Sequence, residues 1–297
     1  METFSPIILF VYKRLLHTTQ TVEALQRNQY ADKSDLFVFS DGPKNESETK
    51  IVQQVRSYIR SISEFKNTKV FEREKNMGLA ASIISGVTTM LELYDKVIVV
   101  EDDVLTSPNF LTFMNSALNT YEQNGKIFSV SGYSYIFNFP KNYKLDIFLT
   151  PRASSWGWGT WKDRWEKVDW TVSDFEQFKH NKGLQNKFNL GGEDLSSMLI
   201  QQQNGKIDSW AVRWSYAHFK NNAYCLCPVK SKVLNLGVDG SGTHMKKSDK
   251  FHIDLDDSTK VEELPRILHT DEELLQKFKN AFKQSLFRKI INRFNKK

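Results

Sequence analysis

The chain has 297 residues, a net charge of +6, 40% hydrophobic and 26% charged residues, ordinary values for a globular protein. No apolar stretch is long enough to cross a bilayer and no basic segment precedes the first apolar run, so we expect neither a transmembrane helix nor a signal peptide. The two cysteines, Cys225 and Cys227, are one residue apart. They would share one face of a strand, which favours a reduced, cytoplasmic setting.

Strands and helices alternate through the first half of the chain, at a spacing typical of right-handed crossovers in a parallel sheet. The apolar pattern predicts strands over residues 6–12, 35–40, 69–72, 96–100 and 127–131, and helices over residues 18–28, 46–63, 79–93 and 110–121. The second of these helices carries an apolar stripe of Ile51, Val55, Ile59 and Ile62. We therefore expect an α/β fold with a mostly parallel central sheet flanked by helices.

The most informative segment is the apolar run over residues 97–100 and the three acids that follow it, Glu101, Asp102 and Asp103. Four β-branched residues in succession predict a strand buried on both faces, and α/β folds bind ligands where such strands end. Adjacent carboxylates repel one another unless a cation holds them, and Mg2+ and Mn2+ are ions that prefer carboxylate oxygens. The alternative is a solvated acidic loop that starts a helix.

Other polar residues in this half follow strands or open a helix. Asp41 ends the second strand, where it would either accept hydrogen bonds from the base or ribose of a nucleotide or form a turn with Gly42. Arg14 comes just after the first strand and would face the base, the phosphates or solvent. Asn76 lies in a glycine-containing segment at a helix start, where an anion can approach. The sequence has no phosphate loop and no dinucleotide fingerprint.

All seven tryptophans lie beyond a soft boundary near Pro140. In the segment over residues 156–159, Trp156 and Trp158 alternate with glycines. Aromatic faces stack on sugar rings and glycine leaves room beside the backbone, so these two tryptophans are candidates to contact a saccharide. Four others are expected in the core or behind the site: Trp165, Trp170, Trp210 and Trp214.

Two acids, Glu193 and Asp194, follow a pair of glycines and precede a helix predicted over residues 195–203. A carboxylate at this position would remove a proton from an attacking hydroxyl, and the glycines would let a substrate come close. The alternative is a structural role, because acids in the first turn stabilise a helix through its dipole. Asp194 is the first candidate for a catalytic base and Glu193 the second.

A glycine-rich loop over residues 236–244 contains two further candidates. His244 would complete a metal site, touch a diphosphate or lie at the surface. The same alternatives remain open for Asp239.

In this order, the residues resemble a GT-A fold glycosyltransferase of the family 2 type and, more closely, of the N-acetylglucosaminyltransferase I type. The resemblance covers about residues 5–245, a span suited to one α/β domain. The three acids are similar to the Glu-Asp-Asp form of the family's DXD motif, which implies that Asp103 binds Mn2+ and Asp102 lies near the ribose. Arg14 resembles the family's arginine after the first strand, and Asp41 its uracil-facing aspartate.

In the second half the resemblance continues with the glycine- and tryptophan-containing segment at 156–159 and with Asp194 at the position of the catalytic aspartate. Gly242-Thr243-His244 is similar to the family's Gly-x-Ser-His loop, with threonine in place of serine. The chain departs from the family where Gly-Gly-Glu-Asp replaces the Trp-Asp-Asp-Trp arrangement of the eukaryotic enzymes, which leaves the base and the acceptor open.

The resemblance implies a metal-dependent, inverting transfer of a sugar from a nucleoside-diphosphate donor to a hydroxyl of a saccharide or lipid-linked glycan. A UDP-sugar, with GlcNAc as the sugar, is the implied donor, and Mn2+ or Mg2+ with Asp103, Glu101 and His244 the implied metal site. The domain would span residues 1–245, with a nucleotide-sugar half over 1–140 and an acceptor half over 141–245. Lacking the membrane anchor of Golgi members, the chain suggests a cytoplasmic bacterial enzyme of surface-polysaccharide synthesis.

The extension over residues 246–297 ends in a basic segment, with eight Lys and Arg and no acid from Leu274 onward. Its apolar residues recur at helical spacing: Leu275, Phe278, Phe282, Leu286, Ile290 and Phe294. Such a helix, within residues 272–297, would lie on the inner face of the cell membrane near a lipid-linked acceptor. The alternative is a helix docked on the protein itself or on a partner. Because the remaining chain is nearly neutral, no nucleic-acid partner is expected.

Two other functions fit parts of this pattern. A sugar nucleotidyltransferase shares such a sheet and an acidic metal site, but has a glycine-rich, arginine-containing loop where this chain has residues 12–17. A carbohydrate-binding protein without turnover would keep the tryptophans and release no nucleotide.

Overall fold

The computed structural model describes residues 4–239, 253–258 and 262–283. The strands are β1 (Ile7–Val11), β2 (Asp35–Ser40), β3 (Asn67–Glu72), β4 (Lys96–Glu101), β5 (Val104–Thr106), β6 (Ile127–Ser131), β7 (Ile147–Thr150), β8 (Trp158–Trp161), β9 (Tyr224–Pro228) and β10 (Val233–Asn235). The helices are α1 (Leu15–Gln26), α2 (Glu46–Arg60), α3 (Leu79–Leu93), α4 (Phe110–Thr120), α5 (Lys162–Trp165), α6 (Phe175–His180), α7 (Lys182–Phe188), α8 (Leu195–Gln203), α9 (Trp210–Lys220) and α10 (Glu272–Ala281). Short 3₁₀ turns cover Ala31–Lys33, Asn189–Gly191 and Leu236–Asp239.

Eight strands form one sheet in the order β3-β2-β1-β4-β8-β6-β9-β7. Strands β1 to β4 are mutually parallel, and β6 pairs with β9 in parallel, whereas β8 and β7 run antiparallel to their neighbours. The predicted α/β architecture, with a mostly parallel central sheet flanked by helices, is confirmed. Because β8 lies between β4 and β6, strands from both sides of the boundary predicted near Pro140 belong to the same sheet.

The strand that precedes the acids is buried on both faces, as its sequence predicts. Val97, Ile98, Val99 and Val100 are all fully buried, between β1 on one side and β8 on the other. Because successive side chains of a strand point to opposite faces, Ile98 and Val100 pack in one core, and Val97 and Val99 in the core on the other face.

A second, two-stranded sheet pairs β5 with β10 antiparallel, so that Asn235 lies opposite Val104. The Leu236 amide continues this pairing and donates to the carbonyl oxygen of Asp103 at 2.7 Å. The pairing was not predicted from the sequence. It brings a segment more than a hundred residues away directly against the acidic motif.

The helices of the first half agree with the predicted ones apart from their ends. The apolar stripe of α2 is partly wrong, because Ile51 is 43% exposed and Val52 is buried in its place. Of the tryptophans predicted for the core, three are buried and Trp170 packs against the same cluster. Cys225 and Cys227 are buried, free thiols on β9, as expected.

The C-terminal helix α10 docks on the domain. Its N-cap is Asp271, whose Oδ1 accepts a hydrogen bond from the Leu274 amide at 2.8 Å. Leu274 and Phe278 are buried, and the Phe278 ring lies 5.0 Å from that of Tyr135. The amphipathic helix is confirmed over this range, but Phe278, expected to face a membrane, packs into the protein instead. Residues 284–297 of the predicted helix lie outside the described residues.

Within the described residues, no helix combines the length and the apolar character needed to span a bilayer.

A buried histidine lies between α9 and the sheet. His218 is fully buried, with Nε2 2.8 Å from Ser129 Oγ and Nδ1 2.8 Å from the carbonyl oxygen of Trp214. Burial lowers the pKa of His218 to about 4, from 6.5 for an exposed imidazole. The folded chain therefore holds this ring neutral, whereas the unfolded chain binds a proton at mildly acidic pH.

Since the folded-state pKa of His218 is depressed, its contribution to stability is complete above pH ~6.5 and falls as the pH drops towards ~4. We expect wild type to lose about 2 kcal/mol more of its unfolding free energy between pH 7 and pH 5 than His218→Gln does. Urea unfolding at the two pH values measures this difference. His269→Gln, at an exposed position, should keep the wild-type slope, and equal slopes for all three proteins would contradict the prediction.

Candidate functional site

The three acids of the central motif lie at the carboxyl end of β4, beside the end of β1. Arg14, just past β1, reaches them. Its Nη2 pairs with Asp102 and lies 3.0 Å from Asp103 Oδ2, and its Nε donates to Asp102 Oδ2 at 3.3 Å. One guanidinium thus holds two of the three carboxylates, and the cluster keeps an excess of negative charge.

Burial and the neighbouring charges both shift the pKa values of these groups. Burial raises the pKa of Glu101 well above its usual range, and the charges on Asp103 and Asp102 raise it further. Burial also raises the pKa of Asp102, against the opposing effect of Arg14. For Arg14 itself burial acts to lower the pKa, but the neighbouring carboxylates outweigh it and raise the pKa. Additional positive charge at this site would therefore be stabilising.

Helix α1 fixes the backbone on both sides of this contact. Thr18 Oγ1 donates to the carbonyl oxygen of Arg14 at 2.8 Å, and Thr21 Oγ1 donates to that of Asp102 at 2.9 Å. Both threonines are fully buried. The ion pair is therefore held by hydrogen bonds within the core as well as by charge.

The strand pairing of β5 with β10 places two more residues against Asp103. Gly237 packs so closely that a Cβ on it would lie 2.3 Å from Asp103 Oδ2 and 3.0 Å from Asn235 Oδ1. Asn235 is 6% exposed, and its Oδ1 is buried without a hydrogen-bond partner among the described residues. An acidic and an amide oxygen therefore line one small space that only glycine leaves open.

This donor set fits a divalent cation. Among the residues that the structure describes, no three His, Cys, Asp or Glu side chains are arranged to hold a metal ion, so a site here requires a donor of another kind. The Asn235 oxygen beside Asp103 is such a donor, and hard cations accept amide oxygens as well as carboxylates. His244, predicted as a further ligand, lies outside the described residues, as does the side chain of Asp239.

Asp41 and Asn76 lie together, but in a structural arrangement. The Asp41 carboxylate, 8% exposed, accepts hydrogen bonds from the amides of Gly42 at 3.0 Å, Met77 at 2.9 Å and Gly78 at 3.2 Å. Asn76 donates to the carbonyl oxygen of Gly42 at 2.9 Å and accepts from the Gly78 amide at 3.2 Å. The anion at the start of α3 is therefore Asp41 itself, which performs the turn role that the sequence left open.

The predicted base, Asp194, lies at the N-terminus of α8 and forms a two-pronged ion pair with Arg152. Arg152 Nη1 donates to Asp194 Oδ1 at 2.8 Å, and Nη2 donates to Oδ2 at 3.0 Å. The Phe282 ring, just after α10, stacks on the guanidinium at 4.5 Å. Burial acts to lower the pKa of Arg152, but Asp194 outweighs it and the pKa is raised. Glu193, the residue before Asp194 in the chain, is half-buried.

The two tryptophans proposed to contact a saccharide differ. Trp156 is half-buried and its ring lies 4.5 Å from that of Tyr133. Trp158 is fully buried among tryptophans, with Trp210 at 5.0 Å and Trp165 at 5.8 Å. The prediction for Trp158 is therefore wrong, because every face of its ring is covered by the core.

Three residues of the site were missed. Arg152 follows β7 after a proline, and no local pattern ties it to Asp194. Asn235 ends β10 just before the glycine-rich loop over residues 236–244, and Gly237 lies in that loop, where the sequence pointed to His244 and Asp239 instead. The sequence contains one signal for this contact, because the polar Asn235 ends the short apolar run Val233-Leu234. That signal can be interpreted only once β5 is known to be the partner strand.

No protein-family model matches the chain, and no curated protein matches it. A mannosyltransferase of Pyrobaculum calidifontis, solved with GDP-Man and Mn2+, is 12% identical over 73% of this chain and 70% of its own, with a TM-score of 0.40. UDP-glucose pyrophosphorylase, solved with UDP-glucose, is 11% identical over 78% of this chain and 94% of its own, with a TM-score of 0.42.

TarS of S. aureus is 11% identical, with a TM-score of 0.38, over 82% of this chain. The chain spans only 41% of the length of TarS. At these identities and TM-scores the three structures carry no argument about the activity of this chain.

We expect Asp41→Ala to lower the unfolding free energy by about 3 kcal/mol, because the backbone amides of Gly42, Met77 and Gly78 lose a charged acceptor. Urea unfolding of the two proteins measures the loss. Asp32→Ala, at an exposed position, is the matched control and should stay within ~0.5 kcal/mol of wild type. A near-neutral Asp41→Ala would mean that these hydrogen bonds are not part of the folded state.

Proposed function

We propose that the chain is a metal-dependent, inverting glycosyltransferase that moves a sugar from a nucleoside diphosphate to a hydroxyl. The proposal depends above all on one observation, the cluster of three carboxylates at the end of β4 beside an unpaired buried oxygen of Asn235. The resemblance of the acidic motif and of its neighbours supports the same reaction. Within it, a UDP-sugar is the proposed donor and a saccharide or lipid-linked glycan the proposed acceptor.

On the donor side, Asp103 would hold the cation and Asp102 would remain with Arg14. A carboxylate oxygen has two lone pairs, so Asp103 Oδ2 can accept from Arg14 and still face the space beside Gly237. The chemistry that a bound divalent ion supplies is neutralisation of the charge that collects on the leaving diphosphate. Arg14 adds a fixed positive charge and keeps both carboxylates oriented.

On the acceptor side, Asp194 would take the proton of the attacking hydroxyl. Its two bonds to Arg152 use one lone pair on each oxygen, so each oxygen keeps a second one for the acceptor. The ion pair with Arg152 holds the carboxylate in one orientation. Attack from the face opposite the leaving diphosphate would invert the anomeric centre. Glu193 is the second candidate for this role.

Asp103→Ala should abolish transfer, with a loss of at least ~10²-fold in kcat, because the leaving group's charge is no longer neutralised. The assay incubates the full chain with a panel of nucleotide sugars and Mn2+ and measures free nucleoside diphosphate. Addition of EDTA to wild type should reproduce the defect. Full activity of Asp103→Ala in EDTA would contradict the metal hypothesis.

Two outcomes separate the alternative functions. A sugar nucleotidyltransferase, supplied with a nucleoside triphosphate and a sugar 1-phosphate in place of the nucleotide sugar, would form a nucleotide sugar and release pyrophosphate. A carbohydrate-binding protein would release no nucleotide from any donor. Either result would overturn the proposed reaction.

Asp194→Asn should leave donor binding unchanged and lower kcat by about 10²-fold or more, because an amide keeps the shape of the carboxylate but cannot accept the proton. Donor binding is measured by calorimetry and kcat by nucleotide release. Asp174→Asn is the matched control, since Asp174 is also an ion-paired carboxylate, held by Lys220 and Tyr216. A wild-type kcat for Asp194→Asn would exclude this residue as the base and favour Glu193.

A further inference from the structure

We propose that Asn235 is a metal ligand, and that its side-chain oxygen binds the divalent cation together with the carboxylate of Asp103. The inference rests on the proposed function, because it names a residue that completes the cation site. No motif in the sequence assigns this role to Asn235.

The first argument is an unmet hydrogen bond. Asn235 is 6% exposed, and its Oδ1 has no hydrogen-bond partner among the described residues. Leaving a buried acceptor unpaired is destabilising, and such groups are rare in folded proteins. A bound cation is one of the few partners that would remove this cost.

The second argument is position. Both Asn235 Oδ1 and Asp103 Oδ2 lie within 3.0 Å of the point that a Cβ on Gly237 would occupy. The backbone holds them there, because Asn235 pairs with Val104 across the β5–β10 sheet and the Leu236 amide donates to the Asp103 carbonyl oxygen at 2.7 Å. The space is thus built by regular strand pairing on both sides of the acidic motif.

The third argument is the chemistry of the groups. A carboxylate and an amide oxygen form a set of hard oxygen donors, which suits Mg2+, Mn2+ or Ca2+. Arg14 Nη1 is also buried without a hydrogen-bond partner among the described residues, although Nη2 of the same group lies 3.0 Å from Asp103 Oδ2. An unpaired acceptor and an unpaired donor beside the same carboxylate match a cation that arrives with a phosphate group, since Mg2+-type sites commonly share their ion with substrate phosphates.

The test measures Mn2+ binding to the full chain, with and without UDP, from the loss of the electron paramagnetic resonance signal of free Mn2+. Asn235→Leu removes the oxygen and keeps the volume, and should weaken Mn2+ binding about 10-fold or more. Asn235→Asp supplies a charged oxygen and should bind Mn2+ at least as tightly as wild type.

Thermal unfolding with and without Mn2+ separates metal binding by Asn235 from a purely structural role. Without metal, Asn235→Asp adds a carboxylate beside Asp103 and should lower Tm, and Mn2+ should restore Tm only if residue 235 binds the ion. Asn115→Leu is the matched control, because Asn115 is a buried asparagine elsewhere, bonded to the Ser5 amide and the Leu111 carbonyl oxygen. Its Mn2+ affinity should equal that of wild type.

Gly237→Ala gives an independent variant if Asn235→Leu does not fold. The glycine is outside the left-handed region, so alanine fits the backbone, but its methyl group would occupy the space between the two oxygens. Mn2+ binding should weaken while Asn235 and Asp103 are both present. Wild-type affinity in Gly237→Ala would contradict the inference.

The two levels of the proposal fail in different ways. If Asn235→Leu binds Mn2+ as tightly as wild type while Asp103→Ala has lost binding, the inference is wrong and the proposed function stands. If wild type itself binds no Mn2+ with or without UDP, both the metal-dependent reaction and the role of Asn235 are overturned.

Discussion

The site depends on the contact between Arg14 and two of the three carboxylates that end β4. Adjacent acids at the end of a fully buried strand repel one another, and burial penalises their charged forms. A single guanidinium offsets part of this repulsion, while burial, and after it the charges on Asp103 and Asp102, raises the pKa of Glu101 well above its usual range. The fold therefore keeps a region of concentrated negative charge at the edge of its core, a property that suits cation binding and serves no packing purpose.

The small β5–β10 sheet gives this charged region its second wall. The acidic motif places its carboxylates at the end of β4. The segment that begins with β10 adds the amide oxygen of Asn235 and the backbone of Gly237 against Asp103. Lys232, just before β10, is itself fully buried and pairs with Asp256 and Glu262. These ion pairs anchor the wall to the segments that follow it, so its position does not depend on the two short strands alone.

Carboxylates at the ends of elements have different roles according to their partners. Asp41 uses both oxygens for backbone amides at the start of α3, and this arrangement stabilises the fold. Asp194 instead pairs with the guanidinium of Arg152, on which the ring of Phe282 stacks. The segment that follows the C-terminal helix α10 is thereby tied to the Arg152–Asp194 ion pair, and it contacts the candidate base through Arg152.

The sequence alone determined the strands of the parallel sheet, the burial of β4 and the acids at its end, because these follow from local hydrophobic pattern and strand-end chemistry. It also placed α8 correctly, since its apolar periodicity is local. Only the tertiary structure decided which side chains meet: Arg14 with the acids, Arg152 with Asp194, and Asn235 with Asp103. Such contacts join residues that are far apart in the chain, and strand order and pairing register, to which no local pattern is sensitive, determine them. The burial of Trp158 belongs to the same class, because a ring's surroundings depend on every element packed against it.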